Sequence, residues 1–359
     1  MLNKESLIDI ATRSINTLLG SSNSSYLNTF SVQIKGSGAQ GEEEFSLLLV
    51  PVIPSTLVFT DQLVQQIYNA LSFALYPAVT MLPPEGVHVV PTKSKSFSTA
   101  RAIQFRLIIG IPERLIFTEY PKSNSLKIPL MKQYVIDFEK ETSVGISGSS
   151  GSGKSYLTGY LLTQFHHAGA KIVAIDPKSD DLSLLAKKLG IECHNTSQFE
   201  TTSDFVESVN QLLSKYINEI NQRQREYLAT ETRVGRKTYL VIDELIVLLS
   251  SANKVQADLL KKFLEIIGVI GRSSGIHLIL VAQDFNISSS GISSTLRNQL
   301  SVRIAMGTAN SANLQYLFPD VETIIVPKEI GTGVVSSNSV LNSQPYPFLA
   351  PSIRRKEVK

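Results

Sequence analysis

The hydrophobic and polar positions of this chain follow two patterns, one on each side of residue 120. From residue 121 onward, short apolar runs alternate with stretches of helical spacing, as in βαβ units built around a parallel sheet. The predicted strands are Lys171–Asp176, Thr238–Ile242, Ile276–Ala282, Ser301–Met306 and Gly333–Ser336. The predicted helices are Lys154–His167, Phe205–Tyr227 and Ala257–Ile270. We therefore expect an α/β fold with a parallel sheet flanked by helices.

The first part of the chain has the pattern of a small α+β domain. Its predicted strands are Ser31–Ile34, Phe45–Val52, Val87–Val90, Ala102–Ile111 and Leu115–Glu119. A helix is predicted over Asp61–Tyr76, with Asp61 as its N-cap. The predicted organisation is a helix and flexible segment at 1–29, a small α+β domain at 30–120, a larger α/β domain at 121–345, and a basic tail at 346–359, whose end from Arg354 onward is expected to be loose. The polar stretch Tyr120–Pro129 is expected to connect the two domains.

Composition narrows the class of protein. The 359 residues are 43% hydrophobic and 18% charged, which argues against disorder, and the net charge of +3 permits a nucleic-acid partner without demanding one. Cys193 is the single cysteine and the five histidines lack ligand spacing, so no metal site of these residue types is expected. The apolar stretch Phe45–Phe59 is interrupted by prolines and is too short to span a bilayer. We expect a cytoplasmic protein without a transmembrane segment of its own.

The motif with the clearest chemistry is a phosphate-binding P-loop, G-x-x-x-x-G-K-[ST]. Small residues let successive backbone N–H groups surround a phosphate, the lysine can reach the β- and γ-phosphates, and the final hydroxyl can bind Mg²⁺. The predicted nucleotide-binding residues are Gly148, Ser149, Ser150, Gly151, Ser152, Gly153, Lys154 and Ser155. The predicted cofactors are therefore ATP and Mg²⁺, with Ser155 as one metal ligand.

A second nucleotide element is the apolar strand that ends in Asp243 and Glu244. Strands of open α/β sheets deliver ligand-binding residues at their carboxyl ends. Asp243 suits the Walker B task of holding Mg²⁺ opposite Ser155, and the longer Glu244 suits a general base for the attacking water. The alternative is an acidic pair that merely ends a strand.

Three further residues are candidates for catalysis. Gln283, at the end of the next strand, is predicted to sense the γ-phosphate or orient the water, with a plain strand-end residue as the alternative. Arg272 precedes a Ser-Ser-Gly turn and is predicted to reach a neighbouring subunit's site, where it would neutralise transition-state charge. Arg303 is the rival for that task, and a surface role for Arg272 stays open.

Four segments together carry a family resemblance: Gly148–Ser155, Ile175–Lys178, Val241–Glu244 and Gly271–Leu278. In this order they resemble the motor of the FtsK/SpoIIIE DNA translocases, over roughly residues 125–340. The resemblance implies a RecA-like ATPase that assembles as a hexamer, hydrolyses ATP between subunits and moves DNA. A docking partner at a membrane or a relaxosome is a further hypothesis, and the sequence does not identify it.

The chain departs from that family at several points. Asp284 and Phe285 stand where many members have Arg-Pro. We also expect no winged-helix module after the motor and no N-terminal membrane segment. This layout resembles the FtsK-like proteins of plasmids and integrative conjugative elements.

The resulting hypothesis is a DNA translocase for conjugative transfer or maintenance of a mobile element, with single- or double-stranded DNA undecided. Protein secretion by an FtsK-like ATPase is the alternative, and a nucleotide-switched scaffold is a third possibility. Candidate DNA-gripping loops are Pro177–Asp181 and Phe285–Ser294, each of which also suits a passive surface loop. A basic cluster in the first domain suits a solvated face better than a DNA contact; its members are Lys93, Lys95, Arg101 and Arg106.

Overall fold

The computed structural model of the protein divides the chain into two units, each with its own core. Unit 1 comprises 1–113, 318–325 and 344–347, and unit 2 comprises 114–317, 326–343 and 348–359. The structure describes residues 3–21, 30–36, 45–52, 60–84, 86–96, 99–232, 235–286, 292–307, 314–319, 321, 324, 326, 329–340 and 343–354. The predicted flexible run after residue 21 and the end of the basic tail, 355–359, lie outside these residues.

Unit 1 is an antiparallel sheet with two helices packed into its core. Its elements are α1 (Lys4–Ser21), β1 (Phe30–Lys35), β2 (Ser46–Pro51), α2 (Asp61–Leu75), β3 (Val79–Met81), β4 (Val89–Pro91) and β5 (Arg101–Ile109). The strand order is β1-β2-β5-β3, with β4 also paired to β5. One face of α1, with Leu7, Ala11, Ile15 and Leu19, is buried in the same cluster as Leu47, Leu49 and Phe105. The N-terminal helix therefore shares the core of the α+β sheet.

The start of α2 differs from the prediction by one residue. Thr60, and not Asp61, is the N-cap, because its backbone is extended and its side chain accepts a hydrogen bond from the Leu63 N–H. Asp61 lies in the first helical turn, where its negative charge favours the helix dipole.

The remaining elements belong to unit 2, except that the first two residues of β16 are grouped with unit 1. They are β6 (Ile116–Phe117), β7 (Lys127–Met131), β8 (Tyr134–Asp137), β9 (Ser143–Gly148), α3 (Lys154–His167), β10 (Lys171–Asp176), α4 (Asp181–Leu189), β11 (Glu192–Asn195), α5 (Thr202–Thr230), β12 (Thr238–Ile242), α6 (Leu245–Ser250), α7 (Lys254–Ser274), β13 (Ile276–Ala282), α8 (Ser294–Asn298), β14 (Leu300–Met306), β15 (Thr332–Ser337), β16 (Tyr346–Leu349) and β17 (Ser352–Ile353). A short 3₁₀ turn, Thr196–Gln198, follows β11.

An eight-stranded sheet in the order β11-β10-β12-β13-β9-β14-β15-β16 positions the rest of this unit. The strands from β11 to β14 run parallel, and β15 pairs antiparallel to β14. Strands β9, β12 and β13 are buried along their whole length, which explains why their sequences are continuous apolar runs. The predicted α/β class, a parallel sheet flanked by helices, is confirmed.

Two segments without a predicted strand contain strands. The end of the predicted connector Tyr120–Pro129 belongs to the β7–β8 hairpin. The beginning of the tail forms β16, whose four residues are all buried, and β17, which pairs with β6. Only the residues from Arg354 onward are predicted to be loose, and the apolar residues Tyr346–Leu349 before them join the sheet. Among the helices that the structure describes, none is long and apolar enough to cross a membrane.

His277 is a titratable group that is buried inside this sheet. It lies in β13 at 2% exposure beside the Tyr239 ring, and both of its ring nitrogens lack hydrogen-bond partners among the described residues. Burial, reinforced by Lys237, Arg223 and Arg272, lowers the pKa of His277 from 6.5 to about 3. His277 is therefore neutral in the folded protein and takes up a proton when the chain unfolds below pH 6.5.

Replacing His277 is expected to flatten the pH dependence of stability. Between pH 6.5 and about 3 the unfolded chain binds one more proton here than the folded chain, so acid destabilises the fold by about 1.4 kcal/mol per pH unit. The drop in thermal midpoint from pH 7 to pH 5 should be smaller in His277→Leu than in the wild type. Exposed His88 is the control, and His88→Leu should keep the wild-type drop. An equal drop in all three proteins would contradict a buried neutral His277.

Candidate functional site

The P-loop connects the central strand β9 to α3 at the carboxyl edge of the sheet. Gly148 ends β9, and Gly153 is the N-cap of α3 with a φ of 101°. A Cβ at Gly148 would lie 2.6 Å from the Met306 carbonyl oxygen and 2.7 Å from Ser152 Oγ. Only glycine fits this close approach, so the loop can hold its backbone N–H groups in the concave arrangement that binds phosphate. Ser149, Ser150 and Ser155 are exposed around it.

Lys154 folds back onto its own loop. Its Nζ donates to the carbonyl oxygens of Gly148 at 2.5 Å and Ser149 at 3.1 Å. Burial lowers the pKa of Lys154, while the nearby carboxylates of Glu244 and Asp243 oppose that shift. The ammonium is thus held at the loop, in the position from which it can reach bound phosphates.

Asp243 and Glu244 follow β12 at the same edge of the sheet. The Asp243 N–H donates to the Ile175 carbonyl of neighbouring β10 at 3.1 Å, and Asp243 Oδ1 accepts from the Glu244 N–H at 3.0 Å. Burial, together with the negative charges of Glu244 and Asp176, raises the pKa of Asp243 to about 6. Glu244 has a φ of 48° and a ψ of 56°, a left-handed conformation that costs a non-glycine residue about 1–3 kcal/mol. Such strain is typical of functional positions.

The residues here fit a magnesium ion. Mg²⁺ in nucleotide sites uses one or two protein oxygens and completes its shell with phosphates and water. Ser155 and Asp243 supply one hydroxyl and one carboxylate, and the like charges around Asp243 favour a cation. Asp176 is not available, because its oxygens accept hydrogen bonds from the Lys178, Asp180 and Ser183 N–H groups and from Ser183 Oγ. The described residues contain no cluster of three or more acidic, histidine or cysteine ligands.

Gln283 lies between the P-loop and the acidic pair. It directly follows β13, the strand between β9 and β12, and its carbonyl accepts a hydrogen bond from the Gly148 N–H at 3.1 Å. Its side chain is exposed. The structure thus brings the P-loop, Asp243, Glu244 and Gln283 to one edge of the sheet, where a nucleotide could contact all of them.

The two arginines lie elsewhere. Arg272 is in the last turn of α7, and β13 begins after it, so Arg272 is separated from the nucleotide edge by a seven-residue strand of about 23 Å. It is exposed, and its guanidinium makes no hydrogen bond or ion pair with the described residues. Arg303 lies within β14 and donates to the carbonyls of Leu300 and Leu317. Neither arginine lies at the nucleotide edge of its own chain.

Comparisons with known proteins agree with this geometry. A family model described as the central domain of the helicase HerA matches residues 133–268. The FtsK domain-containing protein YdcQ of Bacillus subtilis (strain 168) is 24% identical over 245 residues, or 66% of this chain and 50% of YdcQ. Residues 133–268 are therefore similar to the HerA central domain, and the chain is similar to an FtsK domain-containing protein. The resemblance seen in the sequence is confirmed, although this chain spans only half the length of YdcQ.

Two solved structures share the fold of this chain. The pCW3 conjugation coupling protein TcpA, in a monomer form with ATPγS, is 16% identical with a TM-score of 0.54, covering 95% of this chain and 94% of TcpA. EssC (ATPases 2 and 3) from Geobacillus thermodenitrificans is 16% identical with a TM-score of 0.55, covering 70% of this chain and 49% of that one. At these identities the likeness concerns the fold.

Two residues that were not predicted from the sequence support the nucleotide site. Arg114, which the predicted boundaries put in the first domain, belongs to unit 2 and donates to the carbonyls of Ala350 at 2.8 Å and Ile330 at 2.7 Å. It thereby braces the turn whose Gly331 N–H donates to the P-loop carbonyl of Ser152 at 3.1 Å. No local pattern marks Arg114. Lys178, noted only as part of a motif and a candidate loop, forms an ion pair with Glu244.

The structure describes the first candidate DNA-gripping loop completely and the second only in part. The loop between β10 and α4 is tied down by Asp176 and by Thr196, whose Oγ1 donates to the Pro177 carbonyl. Of Phe285–Ser294, residues 287–291 lie outside the described part of the chain. A contact between either loop and DNA stays a prediction.

Gly148→Ala is expected to weaken nucleotide binding by the P-loop. The added methyl group would overlap the Met306 carbonyl and Ser152 Oγ, so the loop must move out of its phosphate-binding shape. Affinity for a fluorescent ATP analogue should fall at least about tenfold, or about 1.4 kcal/mol.

Gly159→Ala is the matched control. It adds the same methyl group to α3, where the nearest atom is 3.7 Å away on Leu185, an ordinary contact. Its affinity should equal that of the wild type. Wild-type affinity in Gly148→Ala would contradict the close approach at the loop.

Proposed function

We propose that this chain is an ATP-driven DNA translocase that serves the transfer or maintenance of a mobile element. The observation that carries the proposal is the set of P-loop, acidic pair and Gln283 at one sheet edge of a HerA/FtsK motor. Further support comes from the pCW3 conjugation coupling protein TcpA, whose fold is similar along 95% of this chain. ATP and Mg²⁺ are the cofactors of the proposal, and DNA is the substrate.

Each site residue has a distinct task in the proposed hydrolysis. The loop amides and Lys154 bind and orient the triphosphate, and Ser155 with Asp243 would hold Mg²⁺, which neutralises phosphate charge when bound. Glu244 accepts a proton from the water that attacks the γ-phosphate. Gln283, which follows the strand between β9 and β12, orients that water. Glu244 distinguishes a hydrolysing motor from a nucleotide-switched scaffold, because a switch without turnover needs no base.

ATP hydrolysis should respond to DNA. The test is the ATPase rate of assembled protein at low salt, alone and with single- or double-stranded DNA, and Lys154→Ala is the blank. Stimulation of several-fold is expected, because phosphate-backbone binding would be coupled to closure of the site. The preferred strand form would identify the substrate. Hydrolysis that ignores DNA in both forms would contradict a DNA translocase and favour the protein-secretion alternative.

A hexamer with shared sites is the second part of the proposal. Arg272 is exposed at the opposite edge of the sheet from its own P-loop, so it can serve only a site on another subunit. Arg303 is the weaker candidate because its guanidinium is engaged by carbonyls of its own chain. An arginine supplied by a neighbour would stabilise charge developing on the transferred phosphate.

Mixing inactive variants tests this arrangement. Arg272→Ala subunits retain a complete P-loop, and Lys154→Ala subunits retain the arginine, so mixed assemblies should regain part of the ATPase rate that each variant lacks. Exposed Arg225 on α5 offers the control, since Arg225→Ala should keep the wild-type rate. Mixed assemblies of normal size without any regained activity would contradict a shared site.

A further inference from the structure

Lys178 brings a positive charge directly to the proposed catalytic base. Its Nζ lies 3.1 Å from Glu244 Oε1, and the Glu244 side chain is 13% exposed. Lys178 follows β10, and Glu244 follows β12, the adjacent parallel strand. The contact therefore joins two neighbouring strand ends at the nucleotide edge.

The backbone around Lys178 is held in place. The buried Asp176 carboxylate accepts the Lys178 N–H at 3.0 Å and the Asp180 N–H at 2.8 Å. Ser179 has a φ of 55°, and its hydroxyl is 2.8 Å from Thr196 Oγ1. These hydrogen bonds fix the backbone position of Lys178. The Lys178 side chain therefore extends to Glu244 from a rigid loop.

Glu244, the other partner of this ion pair, is also held in place. Its N–H is bound by Asp243 Oδ1, its backbone is left-handed, and Oε1 is taken by Lys178. Oε2 is buried and has no hydrogen-bond partner among the described residues. A buried carboxylate oxygen that is left unpaired is costly unless a further group uses it.

We propose that Lys178 is a positioning residue for Glu244. The ammonium anchors Oε1 and sets the plane of the carboxylate, so that Oε2 faces the attacking water and takes its proton. Lys154 does not share this task, because its ammonium is bound to the carbonyls of Gly148 and Ser149. This inference rests on the proposed role of Glu244 as the base.

The test compares kcat and KM for ATP in full-length assembled protein. Lys178→Met removes the charge while keeping a long side chain, and should lower kcat about 10- to 100-fold with KM within about threefold, since misplacing a catalytic group by about 1 Å costs rate rather than binding. Lys178→Arg should recover part of kcat. Exposed Lys188 on α4 is the control, and Lys188→Met should match the wild type.

Glu244→Gln separates this inference from the proposed function. If Glu244→Gln loses turnover, and Lys178→Met in that background costs nothing more, Lys178 acts through Glu244. An unchanged or raised kcat in Lys178→Met, or a rise in KM alone, would overturn the positioning role while leaving the base intact. Wild-type turnover in Glu244→Gln would instead overturn the base itself.

Discussion

The site depends on one constraint: parallel strands all end at the same edge of a sheet. With β13 between β9 and β12, the P-loop, Gln283 and the Asp243–Glu244 pair converge there although they are far apart in sequence. Adding β10 beside β12 brings Lys178 to the same edge. The strand register fixes these positions, since Ile242 of β12 pairs with Leu280 of β13, and Ala282 of β13 pairs with Ser147 of β9. The tight loop at Gly148 then faces the acidic pair across a single strand.

Charge balance follows from that convergence. Asp176, Asp243 and Glu244 come close enough that the first and last help to raise the pKa of Asp243. The structure offsets this crowding in two ways. Backbone amides and a hydroxyl satisfy Asp176, and Lys178 pairs with Glu244. The pKa of Asp243 is still raised, to about 6. A bound cation would stabilise the ionised form of this carboxylate.

Features formed by consecutive residues could be predicted from the sequence, and features that depend on the order of the strands could not. The P-loop and the strand ending at Asp243 are recognisable because their chemistry lies in consecutive residues. The Lys178–Glu244 ion pair depends on which strands are neighbours, which no local pattern reveals. Thr60 and Asp61 are both good capping residues, and only backbone geometry selects Thr60. The strand β16 lies in a segment predicted only as a basic tail, because four apolar residues alone do not show that they pair with β15. The roles of Glu244, Gln283 and Arg272 stay predictions.

The most direct measurement is an experimental structure of Glu244→Gln assembled with ATP and Mg²⁺. We expect unhydrolysed ATP with its phosphates in the loop from Gly148 to Ser155. Lys154 Nζ should have moved from the Gly148 and Ser149 carbonyls onto a phosphate. A triphosphate bound outside this loop, or Lys154 still bound to those carbonyls beside a seated nucleotide, would contradict the account.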